Sequence, residues 1–315
     1  MRALVLSYRL SLDPNYPEPA PAPGEAIVRV TRAGICNTDL ELVKGYMTFR
    51  GVPGHEFVGV MEETGARVVA EINCVGPDSP SRDYFERAQD PDRTTLGIAG
   101  RDGAFADYVR VPVANLHAVP DSVSDDEAVF VEPLAAACQI LEQVHVRTTD
   151  RVRVLGDGKL GLLCAQVLAT TGCDLVAVGK HPDKLDILAR RGIRTALAAD
   201  WDGARDADVV VEATGSPQGF GLARRMLRPR GTLVLKSTFE GLTPADLTGV
   251  VVDEISVVGS RCGPFAAALR LLEQKRVDVL PMIHARYPLE QGLLAFERAR
   301  APGVLKVVLE MKDEG

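Results

Sequence analysis

The chain has 315 residues, 46% of them hydrophobic and 25% charged, and a formal net charge of −7. That length favours two domains with a sizeable core. The acidic balance argues against nucleic acid and against an anionic membrane surface as partners.

The amino terminus reads MRALVLSYRL. Its apolar run, Ala3 to Ser7, is too short for the hydrophobic part of a signal peptide and reads as a first strand. No apolar stretch reaches the ~18 residues that a membrane-spanning helix needs. Pro14, Pro17, Pro19, Pro21, Pro23 and Gly24 separate Ala3–Leu6 from a second strand, Ala26–Val30. A short helix is expected over Thr38–Lys44, with strands near Phe57–Glu62, Arg67–Ile72, Ala104–Val111 and Leu116–Ala118. The first region is therefore β-rich with long loops.

After Glu132-Pro133 the rhythm changes to helix Leu134–Val144, strand Val152–Leu155, helix Leu160–Thr171, strand Leu175–Val178, helix Pro182–Arg191 and strand Val209–Val211. Helix Gly219–Leu227 and strand Thr232–Leu235 continue it. This alternation predicts a doubly wound parallel sheet, which Val257–Val258, helix Pro264–Gln274 and a strand near Val277–Leu280 would finish. The tail reads as a strand from Ile283, a helix over Leu289–Arg300 and a last strand, Val304–Leu309, expected to return to the first domain. The six cysteines, Cys36, Cys74, Cys138, Cys164, Cys173 and Cys262, are scattered without a C-x-x-C pair, which fits a reducing, cytoplasmic setting. Cys138, Cys164 and Cys173 read as packing residues of the second domain. His117, His145 and His284 read as ordinary structural histidines.

Gly156-Asp157-Gly158-Lys159-Leu160-Gly161 is a G-x-G-x-x-G that follows a predicted strand and opens a predicted helix, the context that gives this pattern meaning. Gly156 permits a tight turn, Gly158 lets backbone approach a pyrophosphate, and Gly161 allows close helix–strand packing. Lys159 and Leu160 open the helix whose amino terminus suits phosphate. An NAD site usually carries Asp or Glu at the end of the second strand. Here that position is Gly179, followed by Lys180 and His181. A missing carboxylate beside a cation suits a 2′-phosphate, so NADP(H) is expected over NAD(H), with a site accepting either as the alternative.

Cys36, His55, Glu56 and Glu132 are residue types that Zn²⁺ accepts, and a catalytic zinc needs about three protein ligands and an open position. Cys36 and His55 with either Glu56 or Glu132 would supply them. Taken singly, Cys36 could be a buried core residue, His55 a surface histidine and Glu132 a carboxylate at a helix start. On residue types alone these readings outweigh the metal; the balance turns only when the glycine fingerprint is taken together with the order of motifs along the chain.

The motifs G-I-C-x-T-D (34–39), G-H-E-F-x-G (54–59), D-G-A-F-A-D-Y (102–108), E-P-L-A-A-A (132–137), G-D-G-K-L-G (156–161), A-T-G-S (213–216) and L-K-V-V-L (305–309) run along nearly the whole chain. In that order they resemble the zinc-containing medium-chain dehydrogenase/reductase family, nearest its polyol, sugar and threonine dehydrogenase branch. The resemblance implies an α/β protein with a GroES-like β-rich catalytic domain, residues 1–133 and 279–315, and a Rossmann dinucleotide-binding domain, residues 134–278. It implies a zinc-dependent alcohol dehydrogenase that moves a hydride between a secondary alcohol, polyol or sugar and NAD(P). By match, Cys36 and His55 would be zinc ligands, Glu56 a carboxylate that can ligate or exchange with water, and Glu132 a ligand directly or through water. Asp39 would hydrogen-bond the ligand histidine, and Thr38 would touch the substrate oxygen and begin proton relay. Lys306 would contact the cofactor pyrophosphate. Glu212, Ala213, Thr214 and Gly215, and Lys236, Ser237 and Thr238, would flank the adenosine and nicotinamide. Met47, Phe49 and Phe239 are candidate pocket residues. The family implies a homodimer or homotetramer and a small-molecule alcohol or carbonyl substrate, with no nucleic acid or membrane partner.

One departure is clear. The family often carries a second, structural zinc held by four clustered cysteines, and the stretch from Cys74 to Gln89 keeps only Cys74. One soft ligand cannot hold a tetrahedral site, so one catalytic zinc and no structural zinc are expected, with the lobe held by packing through Tyr84 and Phe85. Two competing readings are a zinc-free quinone or enone reductase of the same superfamily, which would lack paired Cys36 and His55, and a non-catalytic NADP(H)-binding protein.

Overall fold

The computed structural model describes residues 1–45, 48–201, 203–238 and 241–311; Met47 and Phe239 lie outside them. The chain divides into two compact units. The first comprises Met1–Glu132, Gly263–Lys275 and Val279–Gly315, and the second Pro133–Cys262 with Arg276–Asp278. The break falls near residue 133, and the segment around Pro264–Gln274 groups with the first unit.

In chain order the first unit starts with β1 (Ala3–Leu6), β2 (Leu10–Asp13), β3 (Glu25–Gly34), α1 (Asn37–Val43), β4 (Glu56–Met61) and β5 (Arg67–Ala70). Then come β6 (Asn73–Cys74), α2 (Tyr84–Gln89), β7 (Thr94–Leu96), β8 (Gly100–Arg101), β9 (Tyr108–Pro112), β10 (Leu116–Ala118) and α3 (Asp125–Ala128). Helix α4 (Val131–Gln143) starts at the division. The second unit continues with β11 (Arg151–Leu155), α5 (Lys159–Ala169), β12 (Asp174–Gly179), α6 (Pro182–Ala189), β13 (Arg194–Leu197) and β14 (Ala207–Glu212). It ends with α7 (Gly219–Met226), β15 (Leu227–Leu235), α8 (Leu247–Val252) and β16 (Ser256–Gly259). Helix α9 (Phe265–Glu273), β17 (Ile283–Pro288), α10 (Gly292–Arg300) and β18 (Lys306–Glu310) complete the first unit.

The main sheet of the first unit runs β10-β5-β4-β3-β18-β17, with β9 also on β3. The tail returns as expected: β18 pairs antiparallel with β3, setting Val308 opposite Gly34. Alternation of apolar and polar residues along β3 buries Ala26, Val28 and Val30, as a strand with one face on the core must. Phe49, a candidate pocket residue, instead packs with Leu6 and Leu42 in a small buried cluster.

The second unit is a six-stranded sheet in the order β13-β12-β11-β14-β15-β16, every pairing parallel. This is the doubly wound order, whose direction reverses between β11 and β14. Helix α5 buries Leu162, Leu163, Val167 and Leu168, each contributing roughly 1.5–3 kcal/mol of burial. The strand expected near Val277–Leu280 does not form; that stretch is irregular and leads into a 3-10 turn, Leu280–Met282. Short hydrophobic runs of this kind do not distinguish a strand from a buried turn.

In the lobe that replaces the cysteine cluster, Phe85 does not pack as expected. Phe85 is 53% exposed. A buried polar network does the work instead: Arg87 meets Glu71 Oε2 at 2.5 Å, and His117 Nε2 lies 2.8 Å from Glu71 Oε1. Asn115 Nδ2 donates to the carbonyls of Glu71 and Asn73 at 2.8 Å. Asp90 accepts from the hydroxyls of Ser79 and Ser81 at 2.7 and 2.9 Å, which with the Asp92 N–H holds its carboxyl below the usual range. His117, read as an ordinary histidine, is thus a member of the lobe's lock, its ring also 5.5 Å from that of Phe265. Removing one partner of a buried pair strands the other charge, at a cost of about 3–5 kcal/mol. Arg87→Ala should therefore lower the calorimetric unfolding transition of the first unit by several degrees. A shift indistinguishable from that of an exposed-arginine control would contradict the assignment.

Candidate metal centre and dinucleotide site

Three strand ends assemble the first site. Strands β3 and β4 pair antiparallel with Gly34 opposite Glu56, and the Ile35 N–H donates to the Val307 carbonyl of β18 at 2.9 Å. Cys36, just past the end of β3, and His55, just before β4, are therefore brought side by side. Ligand atoms of Cys36, His55 and Glu56 all lie within 4.8 Å of one another. A thiol, an imidazole and a carboxylate at that spacing match the donors and size of a tetrahedral zinc site.

The first turn of α1 orients this set. Cys36 is its N-cap, and the Cys36 N–H donates to Asp39 Oδ2 at 2.8 Å. The other oxygen of the same fully buried carboxylate lies 3.3 Å from His55 Nδ1. Asp39 thus closes the helix start and faces Nδ1, so that Nε2 is the nitrogen that would ligate a metal, the usual arrangement of a carboxylate behind a metal histidine. Burial pulls the His55 pKa down, but Asp39 and Cys36 outweigh it and the net direction is well above the ordinary value. Cys36 Sγ lies 3.7 Å from Thr38 Oγ1, so Thr38 presents its hydroxyl at the edge of the same cluster.

Lys306 has a different place from the pyrophosphate contact expected of it. Its side chain is 1% exposed and forms a buried ion pair with Glu56 Oε2, and its ammonium lies 5.4 Å from the centre of the Phe130 ring. Burial would lower its pKa; Glu56 first, then Cys36 and Glu132, raise it overall. Gly34 makes room for this pair, since a Cβ there would stand 2.8 Å from Glu56 Oε2. Glu132, in the first turn of α4, is near enough to act on Lys306 electrostatically but is not among the atoms gathered within 4.8 Å.

In the second unit the fingerprint loop follows β11 at the point where the sheet order reverses. Gly156 adopts φ +124°, a region costly to other residues. A Cβ on Gly161 would lie 2.0 Å from the Gly156 carbonyl oxygen, whereas one on Gly158 would meet nothing within 4 Å. The first clash fixes helix against loop; the open space at Gly158, N-cap of α5, is where a phosphate can reach the backbone. A dinucleotide therefore fits. At the ends of β14 and β15, buried Glu212 accepts from Thr214 N–H and from the hydroxyls of Thr214 and Ser237, at 2.8, 2.5 and 3.0 Å. Ser237 Oγ in turn accepts from the Gly215 N–H at 2.8 Å. This ties the two loops that carry Ala213 to Gly215 and Ser237. Lys236 is buried, donating to the Ala136 carbonyl at 2.6 Å and Ser260 Oγ at 3.2 Å. Its ammonium serves the interior of this unit.

Sequence reasoning missed Asp157. Its carboxylate reaches across the end of β12, accepting from the N–H groups of Lys180 and His181 at 2.6 Å each. His181 Nδ1 lies 3.0 Å from Asp157 Oδ2. The available signal was an acid at the second place of the fingerprint facing a glycine at the strand end.

These placements separate the two glutamates by experiment. Glu56→Gln and Cys36→Ala should each abolish zinc in protein purified without added metal, while Glu132→Gln should keep it and wild type should hold about one ion. Asp39→Asn should weaken zinc affinity on the order of 10–100-fold. Zinc retained by Glu56→Gln and lost from Glu132→Gln, measured by elemental mass spectrometry, would reverse the assignment.

Residues 22–121 match the family model described as the alcohol dehydrogenase GroES-like domain, and residues 160–274 the one described as zinc-binding dehydrogenase. The chain is 28% identical to a sorbitol dehydrogenase of Halalkalibacterium halodurans over 94% of each chain. It is 28% identical to an erythritol/L-threitol dehydrogenase of Mycolicibacterium smegmatis, over 87% of this chain and 86% of that one. The solved alcohol dehydrogenase of Thermus sp. ATN1 superposes with a TM-score of 0.88 at 26% identity, covering 99% of this chain and 100% of its own. With both matching segments, their order and the assembled Cys36–His55–Glu56 cluster in agreement, the chain belongs to the zinc-containing medium-chain dehydrogenase/reductase family, on the branch of the polyol and sugar dehydrogenases.

Proposed function

We propose that this protein is a zinc-dependent oxidoreductase that transfers a hydride between a secondary alcohol of polyol or sugar type and a nicotinamide dinucleotide. The observation that carries the reading is the convergence of Cys36, His55 and Glu56 beside the Thr38 hydroxyl, in a chain that also carries a sterically enforced dinucleotide loop. Cys36, His55 and Glu56 would hold the zinc, with Glu132 placed to orient a water or substrate hydroxyl. When bound, zinc supplies Lewis acidity at the substrate oxygen and the nicotinamide supplies the hydride chemistry.

The chain's own residues do the rest. Asp39 holds the His55 ring in place and fixes its tautomer. Lys306 gives Glu56 a second counter-charge, so that this carboxylate can exchange partners without being left buried and unpaired, a state that would be costly. Thr38 Oγ1 receives the substrate hydroxyl proton and passes it outward. Gly156, Gly158 and Gly161, with Lys159 and Leu160 opening α5, present backbone to the pyrophosphate. A zinc-free quinone or enone reductase would have no use for the Cys36–His55 pairing, and a silent nucleotide binder none for the Thr38 hydroxyl at its edge.

The family's dimeric or tetrameric state also has a candidate surface. Strand β16 is the edge of the six-stranded sheet and exposes Val257, while α8 exposes Leu247, Val251 and Val252. An apolar edge of this kind invites pairing with a second copy. Light scattering of Val251→Lys/Val257→Lys should report a smaller assembly than wild type; a wild-type monomer would remove this surface from the account. Among the described residues no helix is long and apolar enough to cross a membrane and no cysteine forms a disulfide.

The activity is tested with a panel of polyols, sugar alcohols and sugar acids, using NAD⁺ and NADP⁺ and following nicotinamide absorbance. Turnover is expected with at least one secondary alcohol, and Thr38→Val should lower kcat on the order of 10²-fold with zinc content unchanged. Turnover that survives removal of the metal would contradict the reading.

A further inference from the structure

The end of β12 is where an enzyme of this fold reads the adenosine ribose. Gly179 leaves the usual acidic position without a side chain, and the exposed Lys180 and His181 beside it suggest a phosphate site. The structure fills that place from another element. Strands β11 and β12 are parallel neighbours with Leu155 opposite Val178, so the loop after β11 and the turn after β12 lie side by side. The Asp157 side chain crosses between them and is nearly buried, the residue being 7% exposed. It takes both backbone N–H groups that follow the strand, those of Lys180 and His181, and the Nδ1 of His181 at 3.0 and 3.1 Å. Only glycine at 179 admits it, because a Cβ there would stand 2.5 Å from Asp157 Oδ2.

We propose that Asp157 is the residue that reads the ribose 2′ position, replacing the acid missing at Gly179, and that it selects NAD(H) over NADP(H). The inference rests on the dinucleotide reading given above and reverses the preference expected from Gly179 and Lys180 alone. The physical argument is one of donors and charge. A 2′-phosphate needs N–H donors and an uncommitted cation. Asp157 has already taken the two backbone donors, is paired with the imidazole, and sets a negative charge against the phosphate. A ribose 2′-hydroxyl, in contrast, can donate to the same carboxylate. Burial would raise the carboxyl pKa, but the His181 and Lys180 donors outweigh it and the net direction is downward, which keeps the charge in place at neutral pH. Lys180 remains exposed to solvent, and it provides attraction without a formed cradle.

The test is isothermal titration of NAD⁺ and NADP⁺ into wild type, Asp157→Asn and Gly179→Ala, with the ratio of the two Kd values as readout. Wild type should favour NAD⁺, and Asp157→Asn should move the ratio toward NADP⁺ on the order of tenfold or more, the size expected when a like-charge repulsion is removed. Gly179→Ala, which displaces the carboxylate without removing it, should move the ratio in the same direction. Tighter binding of NADP⁺ by wild type, or a ratio unchanged in both variants, would overturn the role of Asp157 while leaving the dinucleotide reading intact. Failure of wild type to bind either dinucleotide would overturn both.

Discussion

The antiparallel register between β3 and β4, with Gly34 opposite Glu56, is the constraint on which the candidate metal centre depends. Side chains on a strand alternate, so a slip of one residue would turn every one of them to the other face. The register that buries Ala26, Val28 and Val30 also sets Cys36 beside His55 and Glu56. The core and the site are therefore specified by one set of backbone hydrogen bonds. Strand β18 closes the third side, and its first residue, Lys306, supplies the charge that lets Glu56 be buried at all.

Two carboxylates at the site each carry two tasks. Asp39 caps α1 through the Cys36 N–H and faces the His55 ring. Glu56 belongs both to the ligand cluster and to the Lys306 pair. Buried charges are tolerated only when paired and hydrogen-bonded, and dual use satisfies that demand with few residues. The same economy appears in the second unit. There Asp157 braces the turn after β12 and occupies the place of the ribose-reading acid, and Glu212 gathers three donors from two loops.

Most of the fold was legible in the sequence because it is written in local patterns. Alternation of strand and helix after Pro133 announced the parallel sheet, and the spacing of Gly156, Gly158 and Gly161 located the turn at which its order reverses. The ligand candidates were legible as residue types in ordered motifs. What was not legible were pairings between distant side chains. Nothing near Lys306 in the sequence points to Glu56, 250 residues away, and nothing near Glu71 points to Arg87 and His117. The lobe illustrates the difference: the loss of its cysteines is plain from the sequence, whereas the ion-pair network in their place depends on three elements meeting. Asp157 failed for a related reason. A motif assigns a role to its glycines and treats the residue between them as free, but steric space at Gly179 decides where that residue goes.

The central claim is that one zinc is held by a single sulfur, from Cys36, with His55 and Glu56 completing the protein ligands. Zinc X-ray absorption on the wild-type protein tests it most directly, because scattering from sulfur and from light atoms separates by bond length. One sulfur near ~2.3 Å with the remaining ligands nitrogen or oxygen near ~2.0–2.2 Å is the predicted result. A zinc surrounded by sulfur alone, or by none, would contradict the account.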